Sequence, residues 1–580
     1  FKALIRGDLD NQSIRASHRQ LIKERHILLG EKQPVKDKDL PLIDISIVSY
    51  NSSEWVEPFY MSLVTQDYPK DKLNITFVDN DSKDDTIEAL DRLDWSKFNS
   101  MTCINNDNVG FGGGHHIGIQ KGTADYILIT NIDLEFRKDS LRRVVSFAVN
   151  DSADVACWEL RQSPYEHPKF YDPVTLQTAW SAHACILMRR KIYQQSGGYE
   201  ERIFMYGEDV ELSYRYRSLG YKLRYMPSAV VDHYSYKTAG EVKPLQYQGS
   251  TLANAYLRLR YGTMFDVLSI IPLYIRLLTG SGGVTAHRKL IWQNVAKIIL
   301  NARHFLRKRP AMNSFSFRNW DYEIVRDGAF YVSQPLSNEI PLVSVITRTY
   351  AGRETLLKQC MQSVANQTYT NLEHIIVEDG GDSMKTTIES FQRAYPSSKI
   401  RHLPQAKLGR CAAGNQGLAQ ASGQYMVFLD DDDLFFSDHL EVCIGELLSD
   451  TSLNAVYCLA WEVETEFTEH GYEERSHSTP PIMHQNFDRD ILLHHNYIPI
   501  QSIVFQRALF EKHGGFDIEL ENLEDWNLWV RYAASGNFKL IEKTTTMYRT
   551  PWDIMEKARR QAVLDDYLDF ARRKNQGQQT

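Results

Sequence analysis

The sequence is poor in the features that mark stapled, metal-clustered or membrane-spanning chains. Its seven cysteines, Cys103, Cys157, Cys185, Cys360, Cys411, Cys443 and Cys458, are odd in number and nowhere spaced CxxC. Neither a disulfide framework nor a zinc cluster suggests itself, and a reducing compartment follows. The expected location is the cytoplasm, with peripheral contact at the inner face of the cell membrane. No charged-then-apolar leader opens the chain, and the most apolar stretch, residues 267–278, is too short to span a bilayer and contains Arg276. The first residue is Phe1 rather than Met, as expected of a piece cut from a longer protein. A basic surplus is missing as well: 66 Lys+Arg against 74 Asp+Glu leave a formal charge of −8, so nucleic acid is not an expected partner.

What the chain does have is core material. It is 43% hydrophobic and 11% aromatic over 580 residues, more than one core can use, so at least two domains are expected. Laid on itself, the sequence repeats. Ile43 to Tyr50 and Leu342 to Tyr350 are short, β-branched runs ending in Tyr, followed by amphipathic helices that close on Thr-Gln-Asp-Tyr68 and Asn-Gln-Thr-Tyr369. A second apolar strand then ends in Asp79 or in Glu378-Asp379, and a third in Asn131-Ile-Asp133 or in Asp430-Asp431-Asp432-Asp433. Tyr50 and Tyr350 are 300 residues apart, and Asp133 and Asp432 are 299 apart. Later, Gly197-Gly198-Tyr199 and Glu208-Asp209 match Gly514-Gly515-Phe516 and Glu524-Asp525 at offsets of 316 to 317, so the second copy carries an extra loop of about 17 residues. Two homologous βαβ-rich domains are the economical reading.

Parallel strands bring their C-terminal ends to one edge, where open α/β folds bind ligands. Four consecutive Asp residues closing a buried strand would repel one another without a cation, which suggests a magnesium or manganese site holding a diphosphate. The first copy keeps only Asn131 and Asp133 there, so a supplementary ligand is needed, and His233 is the candidate. The glycines of Gly110-Phe-Gly-Gly-Gly114 do not fit GxGxxG, which argues against a dinucleotide fingerprint and leaves open a close backbone approach to a nucleotide-sugar.

In this order and spacing the motifs resemble the family 2 glycosyltransferases of the GT-A fold, twice over, across about 41–240 and 336–550. The resemblance implies an α/β protein of two Rossmann-like GT-A domains joined by a helical segment. It implies nucleotide-sugar donors and a divalent cation, Mn2+ or Mg2+. Tyr50 and Tyr350 would lie against the nucleotide base and Asp79, Glu378 and Asp379 would contact it, with Asn131 and Asp431 also on the donor. Asp133 with His233, and Asp430 with Asp432, would hold the metal. Asp209 and Asp525 would be the catalytic bases, beside Glu208 and Glu524, whose charge also complements a helix N-terminus. The acceptor would be an oligosaccharide or lipid-linked glycan of a bacterial surface polysaccharide. The stretches 197–215 and 220–233 resemble the branch holding rhamnosyltransferases of O-antigen and cell-wall assembly, which implies dTDP-L-rhamnose for the first copy. A degenerate, glycan-holding first copy is the rival expectation, because Asn131 replaces the first Asp of the DXD motif.

The expected organisation is an N-terminal helical extension (1–40), a first GT-A domain (41–240), a helical linker (241–335), a second GT-A domain (336–552) and a C-terminal helix (553–580). The linker carries Arg258, Arg260, Arg288, Arg303, Arg307, Lys308 and Arg309 on or near helical faces. Such a segment either packs the domains or presents a basic, apolar surface to an anionic membrane or lipid-linked substrate.

Overall fold

The computed structural model describes residues 25–167, 169–234, 243–280, 284, 286–307, 326–328, 331–336, 340–468 and 471–576. Residues 1–24 of the expected extension, Lys308 and Arg309 lie outside these. The chain divides into two compact units, the first taking residues 32–171 and 176–325, the second 326–580 together with 21–31 and 172–175. Residues 25–40 hold one 3-10 turn, Asp37–Asp39, rather than a helix. Gly30 sits there at φ 69° and Pro34 lacks the amide a helix would need.

The first unit runs β1 (Ile43–Ser49), α1 (Ser53–Val64), β2 (Leu73–Asn80), α2 (Thr86–Asp91), β3 (Ser100–Asn106), α3 (Gly110–Lys121), β4 (Tyr126–Asn131), β5 (Leu134–Phe136) and α4 (Ser140–Val149). It continues through β6 (Val155–Ser163), β7 (Cys185–Arg189), α5 (Arg190–Ser196), α6 (Glu208–Ser218) and β8 (Lys222–His233). The strands form one sheet in the order β3-β2-β1-β4-β7-β6-β8-β5. β1 is parallel to both β2 and β4, so the chain changes direction across the sheet at β1, where the order creates a crevice at the strand ends. Ile43, Ile45 and Ile47 of β1 are fully buried, and Asp44, the one charge among them, is tied to Arg190 Nη2 at 2.5 Å and Asn74 Nδ2 at 2.7 Å.

Four further helices, α7 (Pro244–Tyr261), α8 (Met264–Leu268), α9 (Ile270–Thr279) and α10 (His287–Arg307), occupy the stretch read as a linker. Tyr256, Ile270, Tyr274, Ile291 and Phe305 share one apolar cluster with Ile203, so these helices are built into the first unit.

In the second unit the strands are β9 (Val343–Thr349), β10 (Leu372–Asp379), β11 (Ile400–Gln405), β12 (Tyr425–Phe428), β13 (Leu434–Phe435), β14 (Ala455–Thr468), β15 (Gly471–Ser478), β16 (Ile503–Gln506) and β17 (Phe538–Pro551). Their order, β11-β10-β9-β12-β16-β14-β17-β13, repeats that of the first sheet position by position. β15 pairs only with β14 and belongs to the inserted residues of the second copy. The helices are α11 (Glu354–Ala365), α12 (Lys385–Ala394), α13 (Arg410–Gln420), α14 (His439–Ser449), α15 (Arg489–His494), α16 (Arg507–His513), α17 (Glu524–Ala533) and the terminal α18 (Ile554–Gln576). Each unit is a mixed, Rossmann-like GT-A domain.

Candidate active sites

The ends of β1 and β9 release Tyr50 and Tyr350 to solvent, 53% and 49% exposed, although every neighbouring strand residue is largely buried. An aromatic ring half-exposed at the crevice can stack on a flat ligand, and at Tyr350 the Arg353 guanidinium lies 5.3 Å from the ring centre. Behind Tyr50, Asp79 at the end of β2 accepts from Ser49 Oγ (3.0 Å), Ser82 Oγ (2.5 Å) and Ser82 N (2.9 Å). In the second unit Glu378 accepts from Ser383 Oγ, Met384 N and His402 Nε2, while Asp379 accepts from Gln405 Nε2, Leu408 N and Gly409 N. A carboxylate offers about four acceptor positions, so Asp379 keeps about one for a ligand, whereas Asp79 and Glu378 are buried among their partners. Their main visible role is to fix the loops beneath the tyrosines.

Asp133 and His233 do come together. β5 and β8 are antiparallel with Leu134 opposite His233, and His233 Nε2 lies 3.4 Å from Asp133 Oδ1. His233 Nδ1 lies 2.6 Å from Gln162 Oε1, which orients the ring with Nε2 toward the carboxylate. His233 Nε2 is buried with no hydrogen-bond partner, as is Asn131 Oδ1 at the end of β4. A carboxylate and an imidazole nitrogen this close form a donor pair that a divalent cation could take. The second unit differs at this place: β13 and β17 put Met547 opposite Leu434, and a thioether is a poor ligand for a hard cation.

The four-Asp cluster is not left to repel itself, which corrects the expectation from sequence. Arg348, on β9, sends Nε (2.8 Å) and Nη2 (2.6 Å) to Asp430. Arg353 reaches Asp431 (2.8 Å) and Asp432 (2.7 Å), and Arg549 contacts the Asp432 carbonyl. Burial would raise Asp430, yet the Arg348 guanidinium holds its carboxyl below the usual range. Burial pushes Asp431 up to about 6 against the pull of Arg353, and burial with Asp432 and Asp430 pushes Asp433 well up. Counting Glu524 and Asp525, six acids face four guanidiniums, since Arg410 Nη1 lies 3.6 Å from Glu524 Oε1, so the cluster still suits a cation. Asp432, the more exposed of the two expected ligands, is the better placed to bind it.

Both candidate bases stand second in a helix entered through left-handed backbone. Tyr206 (φ 67°) and Gly207 (φ 94°) precede α6, and Leu523 (φ 60°) precedes α17. At Gly207 a Cβ would come 2.3 Å from that of Ala253, so the turn is closed to larger residues. A helix N-terminus favours an anion by about 0.3–1 kcal/mol. Burial outweighs it at both positions: Asp209 and Asp525 are each pushed up to about 6, chiefly by desolvation. Lys169, itself paired with Glu159 and lying 4.9 Å from the Trp180 ring centre, partly offsets this at Asp209. Asn496 Nδ2, 3.1 Å from Asp525 Oδ2, does so in the second unit.

The preceding glutamates diverge. Glu524 Oε1 accepts from Arg348 Nη1 at 3.1 Å, so Arg348 joins the strand-end acids to the helix start. Glu208 Oε2 is buried without a hydrogen-bond partner, and burial with Asp209 lifts its carboxyl to about 8. Of this buried pair, Glu208 is the acid pushed further toward its neutral form.

The glycine-rich start of α3 serves packing rather than a ligand. A Cβ on Gly110 would lie 2.0 Å from Phe204 O, and Phe111 N donates to that same carbonyl at 3.0 Å. Sequence reasoning missed Arg348, Arg353, Gln162 and Lys169. Arg348 had a signal, a charge inside an otherwise apolar buried strand, which demands a partner. It also missed one grouping of soft ligands: Cys443 and Cys458 are 3.5 Å apart, and His439 Nδ1 lies 3.9 Å from Cys443. His439 Nδ1 is already bonded to Thr545 Oγ1 at 2.8 Å, and the trio sits in the core.

Fold and sites together define a tandem GT-A protein. The profile of glycosyl transferase family 2 matches residues 44–210 and again 344–514, more than half of the chain. The chain belongs to that family, with two copies of its domain. Hyaluronan synthase of Pasteurella multocida is 26% identical over 236 residues, covering 39% of this chain and 23% of the relative. Chondroitin synthase of Escherichia coli is 27% identical over 207 residues, covering 35% of this chain and 28% of the relative. The chain therefore spans about a quarter of the length of these curated relatives. Among solved structures, a mannosyltransferase from Pyrobaculum calidifontis in complex with GDP-Man and Mn2+ superposes with a TM-score of 0.35 at 17% identity, over 52% of this chain and 87% of that one.

Proposed function

We propose that the chain is a bifunctional, inverting, cation-dependent glycosyltransferase with one transfer site in each unit, moving sugars from nucleotide-sugar donors onto a growing bacterial surface polysaccharide. The observation that carries this is the repeated base: Asp209 and Asp525, each second in a helix and each lifted to about 6, ionised near neutrality yet basic enough to take a proton. Relatives named as hyaluronan and chondroitin synthases support a polymer as the product.

In each unit the acceptor hydroxyl gives its proton to the Asp carboxylate as its oxygen attacks the anomeric carbon. The bond from that carbon to the diphosphate breaks on the opposite face, so configuration inverts and no covalent intermediate forms. Tyr50 or Tyr350 would stack on the base. Asp133 with His233, and Asp432 with Asp430, would hold the cation, which when bound offsets the charge of the departing diphosphate. In the second unit Arg348 and Arg353 add fixed positive charge beside it.

The first unit is assigned dTDP-L-rhamnose, on the likeness of residues 197–233 to bacterial rhamnosyltransferases. The acceptor is an oligosaccharide or lipid-linked glycan, and a lipid-linked one would keep the enzyme at the inner face of the cell membrane. Placing two transfer sites in one chain offers the product of one to the other at high effective concentration. The rival reading, a degenerate first unit that only holds glycan, has Asn131 in its favour. The Asp133–His233 contact and the raised Asp209 argue for catalysis there.

A screen of nucleotide-sugars with manganese and a synthetic acceptor, run on the wild type, Asp209→Asn and Asp525→Asn, tests the proposal. Each variant is expected to lose transfer of a different sugar or linkage. Wild-type behaviour of Asp209→Asn with every productive donor would make the first unit a binding module and end the bifunctional reading.

A further inference from the structure

The helices α7–α10 carry a charge pattern found nowhere else in the chain. Between Lys243 and Arg307 stand nine Lys or Arg residues and a single acid, Asp266, in a protein whose formal charge is −8. Asp266 is buried and caps α8 through Thr263 N at 2.6 Å. Arg258 and Arg260 are also buried, which leaves Lys243, Arg276, Arg288, Lys289, Lys297, Arg303 and Arg307 exposed with no acid among them.

Large apolar side chains share this surface. Met264, Phe265, Leu268, Ile271 and Ile275 follow one another at helical spacing along α8 and α9, each more than half exposed, while Ile270 and Tyr274 face the core. On α10, Trp292, Ile299 and Leu300 are 62%, 71% and 78% exposed and fall on the same face as Arg288, Arg303 and Arg307. Single exposed apolar residues are ordinary, but a run of this kind marks an interaction site. No helix among the described residues is long and apolar enough to cross a membrane. Nearby, Ile203, Phe204 and Met205, just before Glu208 and Asp209, line a groove with Leu245, Leu252 and Tyr256 of α7 and Lys297 of α10.

We infer that the outer face of α8–α10 docks on an anionic lipid bilayer. The apolar side chains enter the acyl boundary and the arginines and lysines meet lipid phosphates. The only acid of α7–α10, Asp266, is buried, so this face carries no carboxylate to repel lipid phosphates. The inference deepens the lipid-linked-acceptor reading, and it is tested without glycan.

The full chain is sedimented with vesicles of phosphatidylglycerol and phosphatidylcholine, and with vesicles of phosphatidylcholine alone. Uptake is expected on the anionic vesicles, with release as salt is raised. Replacing Arg288, Arg303 and Arg307 together by Gln is expected to lower the partition coefficient roughly a hundredfold, and Ile271→Glu with Ile275→Glu to abolish it, with thermal melting confirming the fold. Equal uptake on both vesicles, or insensitivity to salt, overturns the inference. So does an ultracentrifuged dimer that the Ile271→Glu, Ile275→Glu variant dissociates while vesicles take up no protein, since a second copy would then cover this face. Vesicle uptake without transfer to a lipid-linked acceptor would sink the acceptor reading and leave docking standing. Transfer in detergent without uptake would do the reverse.

Discussion

Arg348 Nη2 lies 2.6 Å from Asp430 Oδ2 across the neighbouring strands β9 and β12. At the matching cross-strand pair of the first unit, β1 and β4 place Val48 opposite Asn131. The guanidinium and the carboxylate are thus lost together. The missing first Asp of the first copy, which read in sequence as a weakened metal site, accompanies the loss of the charge it would have to balance. Without an arginine at this place Glu208 cannot be held as an anion, and burial lifts it to about 8.

That coupling can be measured. Arg348→Val leaves Asp430 buried without its two-pronged partner and Glu524 with only the longer contact to Arg410, and is expected to destabilise the second unit by about 3–5 kcal/mol. Arg348→Val with Asp430→Asn, the pair found in the first unit, is expected to recover most of the Asp430 part. Urea unfolding of the single and double variants checks this. Additive losses would show that the two side chains do not act as a pair.

Much of the fold was legible because it rests on local pattern. Short β-branched runs with acids at their ends place the parallel strands, and the repeat at offset 300 assigns the second unit once the first is read. What stayed hidden depends on contacts between distant strands. Gln162 orients His233 from 71 residues away, and Arg348 meets Glu524 from 176 away. No local spacing encodes either. The same holds for α7–α10, read as a linker because its helices are amphipathic, whereas the cluster they join includes Ile203. Gly110 was ambiguous for a different reason: a glycine required by a passing carbonyl looks the same in sequence as one required by a ligand.

The cation site of the first unit should depend on His233 and on its orientation. His233→Ala is expected to weaken Mn2+ binding by about 10–100-fold, and Gln162→Leu, which frees the ring, by about tenfold. Mn2+ titration followed by electron paramagnetic resonance, in the Asp432→Asn background so that the second site is silent, reads the affinity directly. Unchanged affinity in His233→Ala would remove His233 from the site.

Gly110 carries a sharper structural prediction. At φ 81°, with Phe204 O where a Cβ would stand, alanine forces the backbone apart. Gly110→Ala is expected to cost about 2–4 kcal/mol through strain and the carbonyl clash. Because Phe204 lies five residues before Asp209, it should also cut transfer at the first site at least tenfold, with transfer at the second unchanged. Steady-state assays in the Asp525→Asn and Asp209→Asn backgrounds separate the two. Loss at both sites would mean that the glycine matters to the whole fold rather than to this loop.

The two sites should differ in pH dependence, and the sign follows from the acids. Asp209 and Asp525 must be ionised to act, so both transfers should fall tenfold for each pH unit below about 6. Only the first unit has a second limb: above about 8 Glu208 ionises, placing an uncompensated negative charge beside Asp209 and the diphosphate, and kcat/KM for the first donor should drop. Glu524, paired with Arg348, gives the second unit no such limb. Glu208→Gln is expected to remove the upper limb and keep the lower. The same substitution should change stability in a fixed direction. Glu208 lies above its ordinary 4.5 in the folded state, so that state binds more protons, and stability falls as pH rises from about 4.5 to 8. Glu208→Gln should therefore raise the Tm at pH 8 and leave it nearly unchanged at pH 4.5. An upper limb in both units, or none in either, or a Tm gain equal at both pH values, would show that Glu208 is not an acid raised by burial beside Asp209.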